Sequence, residues 1–416
     1  MKFFKTDKFN ILFYPYPSEF IYSSISINIG SNNEKDGERG LAHFFEHMVF
    51  KGSTKIKNPI KLLESLGCYM NASTDYNQTQ YYIYGNHSHY KIILKILIYL
   101  LLYPSFPEKT IQNEIGVILE EVRMYDNDIP DLLWNFMMKE LYKDNDIQYS
   151  KKIIGEIKDI KNFSRKKLLN FIREKYYKNK FYLTIYGKFN EKDIKEYLEK
   201  ILKKPLTSYI PLCKKIETEL KIPFFSSNHK PTIEFFKKPG HNQNLTFMVF
   251  RFTDFYNKNI DTMNLLLKIL GYSHSSFLFE LLREKNGLTY SQSCHSYYFQ
   301  NHGFIYIRFE SDIKNTKKII ELIWNSLKKL RIKKDELKTA KEIYRNNYNM
   351  EKENFLDWVN EIEENWILEK EIPTLKNIDK ISLEDIQNLF KKVFIKENLN
   401  IYSIGDYKKI PSIKII

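Results

Sequence analysis

Cysteine is nearly absent from this chain: three residues in 416, at Cys68, Cys213 and Cys294. The number is odd and no two stand in a C-x-x-C spacing, which argues against a disulfide scaffold and against a cysteine zinc site. A reduced, cytoplasmic compartment fits that usage. Also missing is any long uninterrupted apolar run. The greasiest stretch, YKIILKILIYLLLYPSF at 90–106, is broken by Lys91 and Lys95. What remains is too short to span a bilayer, so a buried helix is expected there. The N-terminal MKFFKTDKFNILFYPYPSEF lacks a sustained apolar core and a small-residue cleavage site, so no signal peptide is expected. No arginine-rich or aromatic-interleaved basic tract occurs. The net charge of +14 comes from scattered residues and reads as compositional bias, not as a nucleic-acid surface. Neither a nucleic-acid partner nor a membrane span is expected.

What the chain does have is core-forming material. Its composition is 43% hydrophobic, with 30 Tyr and 30 Phe, which excludes a disordered chain. At this length two domains are expected. The pattern of elements repeats. In the first half, YSSISINIG around 21–30 alternates like a half-buried strand, a helix is expected over about 38–50, and a short helix led by Pro59 ends at Gly67. The strand-like runs CYMNAST and TQYYIYG follow, then helices over about 88–142. The second half replays the order: NLTFMVFRF (244–252) as a strand, TMNLLLKIL (262–270) as a helix, and FLFELLREKNG (277–287) as a helix ending in glycine. LTYSQSCHSYYF and GFIYIRF then read as strands, and helices are expected over about 313–370.

Landmarks in the two halves keep a nearly constant offset. Gly67 and Gly287 are 287 − 67 = 220 apart; Ser164 and Ser382, and Gly187 and Gly405, are each 218 apart. Serine is a good residue to cap a helix start, and glycine tolerates the turn after a strand. Three such matches in register favour an ancestral duplication. The fold class expected is therefore α+β, with two homologous modules, each an antiparallel sheet packed with helices. The first module, 1–212, carries the candidate metal site. Residues 213–230 lie in a stretch with three prolines (204–230) and read as a linker, and 231–416 form the second module.

Residues 43–47 read His-Phe-Phe-Glu-His. Histidines four apart on a helix face the same way, so His43 and His47 can bind one Zn²⁺ at about 2.0–2.1 Å each. Glu46 can reach the open side of the ion and take a proton from its water, whose pKa the metal lowers toward about 7. A third ligand is needed. The segment TIQNEIGVILEEVRMY offers Glu114 and Glu121, seven apart and so on one helix face, while Glu120 points elsewhere. Glu121 is taken as the ligand and Glu114 as a supporting or water-side carboxylate. Apolar Leu41, Phe44, Phe45, Met48 and Val49 surround the trio, so its polar groups are partly buried and need partners. Adding 220 to His43, Glu46 and His47 gives Met263, Leu266 and Leu267, so the repeat lacks the site.

These segments resemble the pitrilysin/insulinase family of inverted zincins, in its short branch related to mitochondrial processing peptidase, and the resemblance runs along essentially the whole chain. GSNNEKDGERGLAHFFEHMVFKGSTK (30–55) is similar to the family's zinc-helix signature, and NEIGVILEEVRM carries matches for the third ligand at Glu121 and the accessory glutamate at Glu114. The separation of 74 positions (47 to 121) is slightly short for the family, which leaves Glu120 as an alternative ligand. Asn71 and Ala72 match the family's active-site edge strand, where an extended peptide can add by main-chain hydrogen bonds. From the residues alone, an ordinary strand reads the same. Arg283 and Tyr290 match a substrate-contacting pair: Tyr290 could donate to an oxyanion and Arg283 hold a carbonyl or carboxylate.

The resemblance implies a clamshell of four modules, of which this chain supplies half. It therefore implies a second chain: a homodimer in which Arg283 and Tyr290 serve the partner's zinc, or a heterodimer with an inactive homologue. The function expected is a zinc metalloendopeptidase with one Zn²⁺ per chain, Glu46 as general base, and short or unfolded peptides as substrates. The alternative is a non-catalytic processing or assembly subunit of the same fold.

Overall fold

The computed structural model describes residues 1–143, 148–209, 232–253, 260–299, 302–367, 375–413 and 415; the expected linker 213–230 and Cys213 lie outside these. The described chain divides into two units, one of Met1–Asp128 with Met138–Leu212, the other of Ile129–Met137 with Cys213–Ile416.

The first unit holds a seven-stranded sheet made of β1 (Lys2–Lys5), β2 (Phe9–Pro15), β3 (Phe20–Ile27), β4 (Tyr69–Thr74), β5 (Thr79–Asn86), β6 (Phe181–Gly187) and β7 (Thr207–Ser208), in the order β4-β5-β3-β6-β2-β1-β7. The second holds a five-stranded sheet of β8 (Thr232–Lys237), β9 (Gln243–Thr253), β10 (Gln292–Tyr298), β11 (His302–Asp312) and β12 (Leu399–Gly405), in the order β10-β11-β9-β12-β8. Five strands of the first sheet, β4-β5-β3-β6-β2, thus run in the same order as all five of the second. Pairing is antiparallel except in one equivalent place in each sheet, where β2 runs parallel to β6 and β8 parallel to β12. The chain is an α+β protein. Strands β1, β2, β7 and β8 carry no sharp alternation of polar and apolar residues, so no periodicity marks them in the sequence.

Strand β3 departs from the half-buried pattern. From Ile21 to Ile27 every residue is buried, Ser23, Ser24 and Ser26 included. It lies between β5 and β6 with both faces covered, and small serines fit where a longer polar side chain would need a partner. In the second sheet β12 is likewise buried along its whole length.

Helices α1 (Leu41–Phe50), α2 (Pro59–Glu64), α3 (Tyr90–Leu102), α4 (Glu108–Tyr125), α5 (Ile129–Leu141), α6 (Ile157–Ile160), α7 (Arg165–Glu174) and α8 (Glu191–Leu202) occur in the first half. Helix α3 is the greasy stretch. Ile93, Leu94, Ile96, Leu97, Ile98, Leu100 and Leu101 are buried in the core, and the helix packs on β3 and β5. No helix among the described residues is long and apolar enough to cross a membrane. The start of α5 belongs to the second unit, where Trp134 meets the rings of Tyr297 and Phe304 at 5.2 and 5.8 Å between centroids. The expected caps are in place: the Ser164 hydroxyl accepts from the Lys167 amide to begin α7.

The second half carries α9 (Ile260–Gly271), α10 (Phe277–Phe279), α11 (Thr316–Lys329), α12 (Lys334–Glu353), α13 (Phe355–Ile367) and α14 (Leu383–Val393). Ser382 caps α14 as Ser164 caps α7. Two expectations shift here. The segment after α10 winds as a wider π-type turn over Glu280–Glu284, and the strand expected from Leu288 begins only at Gln292.

Helix α1 begins at Leu41, three residues later than expected, because Gly40 takes a left-handed φ of +97° that no regular helix accommodates. Glu34 closes the helix start. Its two carboxylate oxygens accept from the Gly40 and Ala42 amides, both at 2.8 Å, while Arg39 donates to the Glu34 carbonyl at 2.9 Å. A negative group at a helix N-terminus is favoured by the helix dipole and by the free amides there. Burial works the other way and pushes the Glu34 carboxyl up to about 8.

A Cβ on Gly40 would fall 2.5 Å from the Ile154 carbonyl oxygen, whereas one on Gly37, also left-handed at +84°, would meet nothing within 4 Å. Gly40→Ala should therefore destabilise the protein by several kcal/mol, and Gly37→Ala by only about 1–2 kcal/mol of backbone strain. Denaturant unfolding of the two variants side by side checks the difference.

Candidate metal centre

Helix α1 packs against β4, β5, α3, α4 and α7, and buries Leu41, Ala42, Phe44, Phe45, Met48 and Val49. That apolar stripe fixes its rotation and turns the remaining face, with His43 and His47, toward α4. Helix α4 buries Ile111, Ile115, Ile118 and Val122, and the same face presents Glu114 and Glu121. The ring centroids of the two histidines lie 4.6 Å apart.

The ligand atoms converge. One donor atom from each of His43, His47 and Glu121 lies within 4.8 Å of the other two, and no other such cluster of histidine, cysteine or carboxylate groups occurs among the described residues. His43 Nε2 stands 3.7 Å from Glu121 Oε1, and His47 Nε2 stands 3.4 Å from Glu121 Oε2. A tetrahedral ion with bonds of about 2.0–2.1 Å would separate its ligand atoms by about 3.3–3.4 Å. The residues present therefore fit a small divalent metal. Glu121 Oε2 is buried and makes no well-aligned hydrogen bond; its neighbour is His47 Nε2 at 3.4 Å, the spacing of two ligands on one ion. Glu120, the alternative ligand, is exposed and pairs with Arg123 on the outer face of α4.

Glu114 is not part of the triad but supports it. Its Oε1 lies 2.8 Å from His47 Nδ1, and its Oε2 lies 2.6 Å from Lys51 Nζ. A carboxylate on Nδ1 holds that nitrogen protonated and leaves Nε2 free to bind a metal. The Glu114 side chain is almost fully buried, and Lys51 supplies the countercharge that a buried carboxylate requires. Burial opposes its ionisation, but the hydrogen bonds from His47 and Lys51 outweigh that and hold its carboxyl below the usual range. Glu46 is also buried. Burial pushes its carboxyl up, and a hydrogen bond from the Thr74 hydroxyl at 2.6 Å resists that shift.

The two imidazoles are driven apart. Burial, with the neighbouring charge of His47, brings His43 down to about 4. Burial acts on His47 too, but the Glu114 and Glu121 carboxylates win and raise it to about 9. The unliganded pair thus holds its proton on His47.

Asn71 and Ala72 sit in β4, which among the described residues pairs with β5 alone and forms one edge of the first sheet. Arg283 and Tyr290 lie in the second unit and touch each other, with the guanidinium 4.9 Å from the centre of the Tyr290 ring and 5.1 Å from that of Phe279. Tyr290 is 84% exposed. Three residues at the centre escaped the sequence reading. Lys51 stands four after His47, a spacing that places both on one helix face, and that signal was available. Thr74 and Glu34 reach α1 from other segments, and nothing local marks them.

Two family models match the chain. One described as insulinase (peptidase family M16) covers residues 14–153, and one described as the peptidase M16 inactive domain covers 162–344. A Rickettsia bellii protein named as an uncharacterized zinc protease is 27% identical over 341 residues, covering 80% of this chain and 79% of its own length. The human mitochondrial-processing peptidase subunit beta is 31% identical over 153 residues, covering 36% of this chain and 31% of its own. Among solved structures, a protease from Helicobacter pylori superposes with a TM-score of 0.81 at 19% identity, over 96% of this chain and 97% of that one; at that identity the likeness concerns the fold.

Metal binding must displace the proton held on His47, so affinity should fall as pH drops below about 9. At pH 7 we expect about one proton to be released per zinc bound. Calorimetric titrations of the metal-free protein in buffers of different ionisation enthalpy measure that number, and a value near zero would show His47 to be neutral before binding.

Proposed function

The chain belongs to the insulinase, or M16, family of peptidases, and from that premise we propose that it is a zinc-dependent endopeptidase hydrolysing short or unfolded peptides. The observation that carries this reading is the convergence of His43, His47 and Glu121 with a buried glutamate, Glu46, one residue from a ligand. Zinc held by those three side chains would polarise the scissile carbonyl and lower the pKa of water. Glu46 takes the proton from the attacking water and later gives it to the leaving amine. Its buried setting suits the first of these transfers, because a carboxyl whose pKa is raised binds a proton more strongly and so accepts one more readily. Glu114, tied to Lys51, holds His47 in the ligand-competent tautomer.

On substrate binding, the free edge of β4 offers Asn71 and Ala72 to an extended peptide, and Tyr290 with Arg283 supplies hydrogen-bond donors for the oxyanion and for substrate carbonyls. The restriction to short or unfolded peptides follows from the enclosed chamber that the resemblance implies. One zinc per chain is proposed, and a homodimer completes the chamber. Relatives named as the beta subunit of mitochondrial-processing peptidase support the need for a partner and keep a heterodimer as the alternative. A purely structural subunit would have no use for a complete set of ligands together with a buried base. A reducing compartment such as the cytoplasm suits Cys68 and Cys294, which are buried and unbridged.

Glu46→Gln should keep zinc and lower kcat by about 10²–10⁴-fold, whereas His43→Ala should lose most of the metal. Elemental analysis together with cleavage of a mixed peptide library, with and without a chelator, reads both; wild-type turnover by Glu46→Gln would remove it from the role of base. Mixing Arg283→Ala with Glu46→Gln subunits should restore activity if each chain's Arg283 and Tyr290 serve the other's zinc. No recovery after confirmed subunit exchange would place the whole site within one chain.

A further inference from the structure

A general base has to present one oxygen to the proton it takes, and a glutamate reaches its position through three rotatable bonds. Glu46 projects from α1 and is 9% exposed, so solvent does little to hold it. Among the described residues one hydrogen bond is made to that carboxylate: Thr74 Oγ1 donates to Oε2 at 2.6 Å. That length is typical of a hydroxyl donating to an ionised carboxylate, the stronger class of hydrogen bond. With Oε2 occupied, Oε1 is the oxygen left to accept a proton.

The donor comes from a separate part of the sheet. Thr74 ends β4, the edge strand, and alternation along the strand puts it on the same face as Ala72 and Met70, opposite to Asn71 and Tyr69. The strand is tied to the sheet by its ladder to β5, in which Thr74 pairs with Thr79 and Ala72 with Tyr81. The Thr79 hydroxyl is in turn bonded to the Ile29 carbonyl and the Tyr176 hydroxyl. The hydroxyl that meets Glu46 is therefore carried by a fixed strand and not by a loose loop.

Building on the peptidase reading above, we propose that Thr74 is a positioning residue for the base: its hydroxyl holds Glu46 through Oε2 and leaves Oε1 for the proton. The residue acts through Glu46.

The test compares Thr74→Val, which keeps the shape and loses the hydroxyl, with Thr74→Ser, which keeps the hydroxyl. Valine favours strands, so folding should not suffer, and melting curves confirm it. For Thr74→Val we expect kcat to fall about 10–100-fold with KM within about twofold and zinc content unchanged, the loss expected for one hydrogen bond to a charged group. Thr74→Ser should recover to within about threefold of the wild type. Glu46→Gln is run in parallel. If Glu46→Gln is inactive and Thr74→Val turns over like the wild type, the positioning role is wrong while the base stands. If Thr74→Ser is as impaired as Thr74→Val, the methyl group and not the hydroxyl matters, and the proposal falls. If Glu46→Gln is as active as the wild type, the base assignment fails and the role of Thr74 fails with it.

Discussion

Along the seam between α1 and α4 lie two histidines, three glutamates and a lysine, and burying so many polar groups is unfavourable unless each finds a partner. The packing supplies most of those partners: Lys51 for Glu114, Glu114 for His47 and, from β4, Thr74 for Glu46, while Glu121 faces both histidines. Because these groups share neighbours, none can move without leaving another exposed to a low-dielectric interior. The apolar faces of the same helices, Phe44, Phe45 and Met48 on α1 and Ile111, Ile118 and Val122 on α4, hold the seam closed from the other side.

The start of α1 shows how much surrounding structure serves that seam. Glu34 closes the helix with two amides, Arg39 is held by the Glu34 carbonyl and by Asp36, and Gly40 passes close to the Ile154 carbonyl where a side chain would not fit. Thr74 reaches the same helix from β4. A catalytic group must be placed to within a fraction of an ångström, and such placement comes from neighbours that are themselves fixed.

The two sheets share a strand order and the position of their parallel pair, yet among the described residues only the first unit carries the cluster. In the second unit the positions 220 further on, Met263 and Leu266, are fully buried in α9, and Leu267 packs at the margin of the same core. One architecture accepts either a polar seam or an apolar one at this place, because the helix needs only a buried stripe to pack. The cluster of His43, His47 and Glu121 is therefore an addition to the fold and not a requirement of it.

The sequence alone determined what depends on local spacing. Two histidines four apart and two glutamates seven apart each share a helix face whatever the tertiary structure, and a serine before a helix or a glycine after a strand acts within a few residues. The α+β class, the repeated order of elements, the buried character of 90–102 and the pairing of His43, His47 and Glu121 as candidates were legible for that reason. Tertiary structure decided what depends on segments distant in the chain. It put both faces of β3 out of solvent, brought Glu114 to His47 and left Glu120 outside, and set Thr74 against Glu46 and Glu34 beneath α1. Hydrogen bonds between residues 28 or 67 positions apart leave no periodicity to read, because the chain between them is free to take many paths until the core closes and selects one.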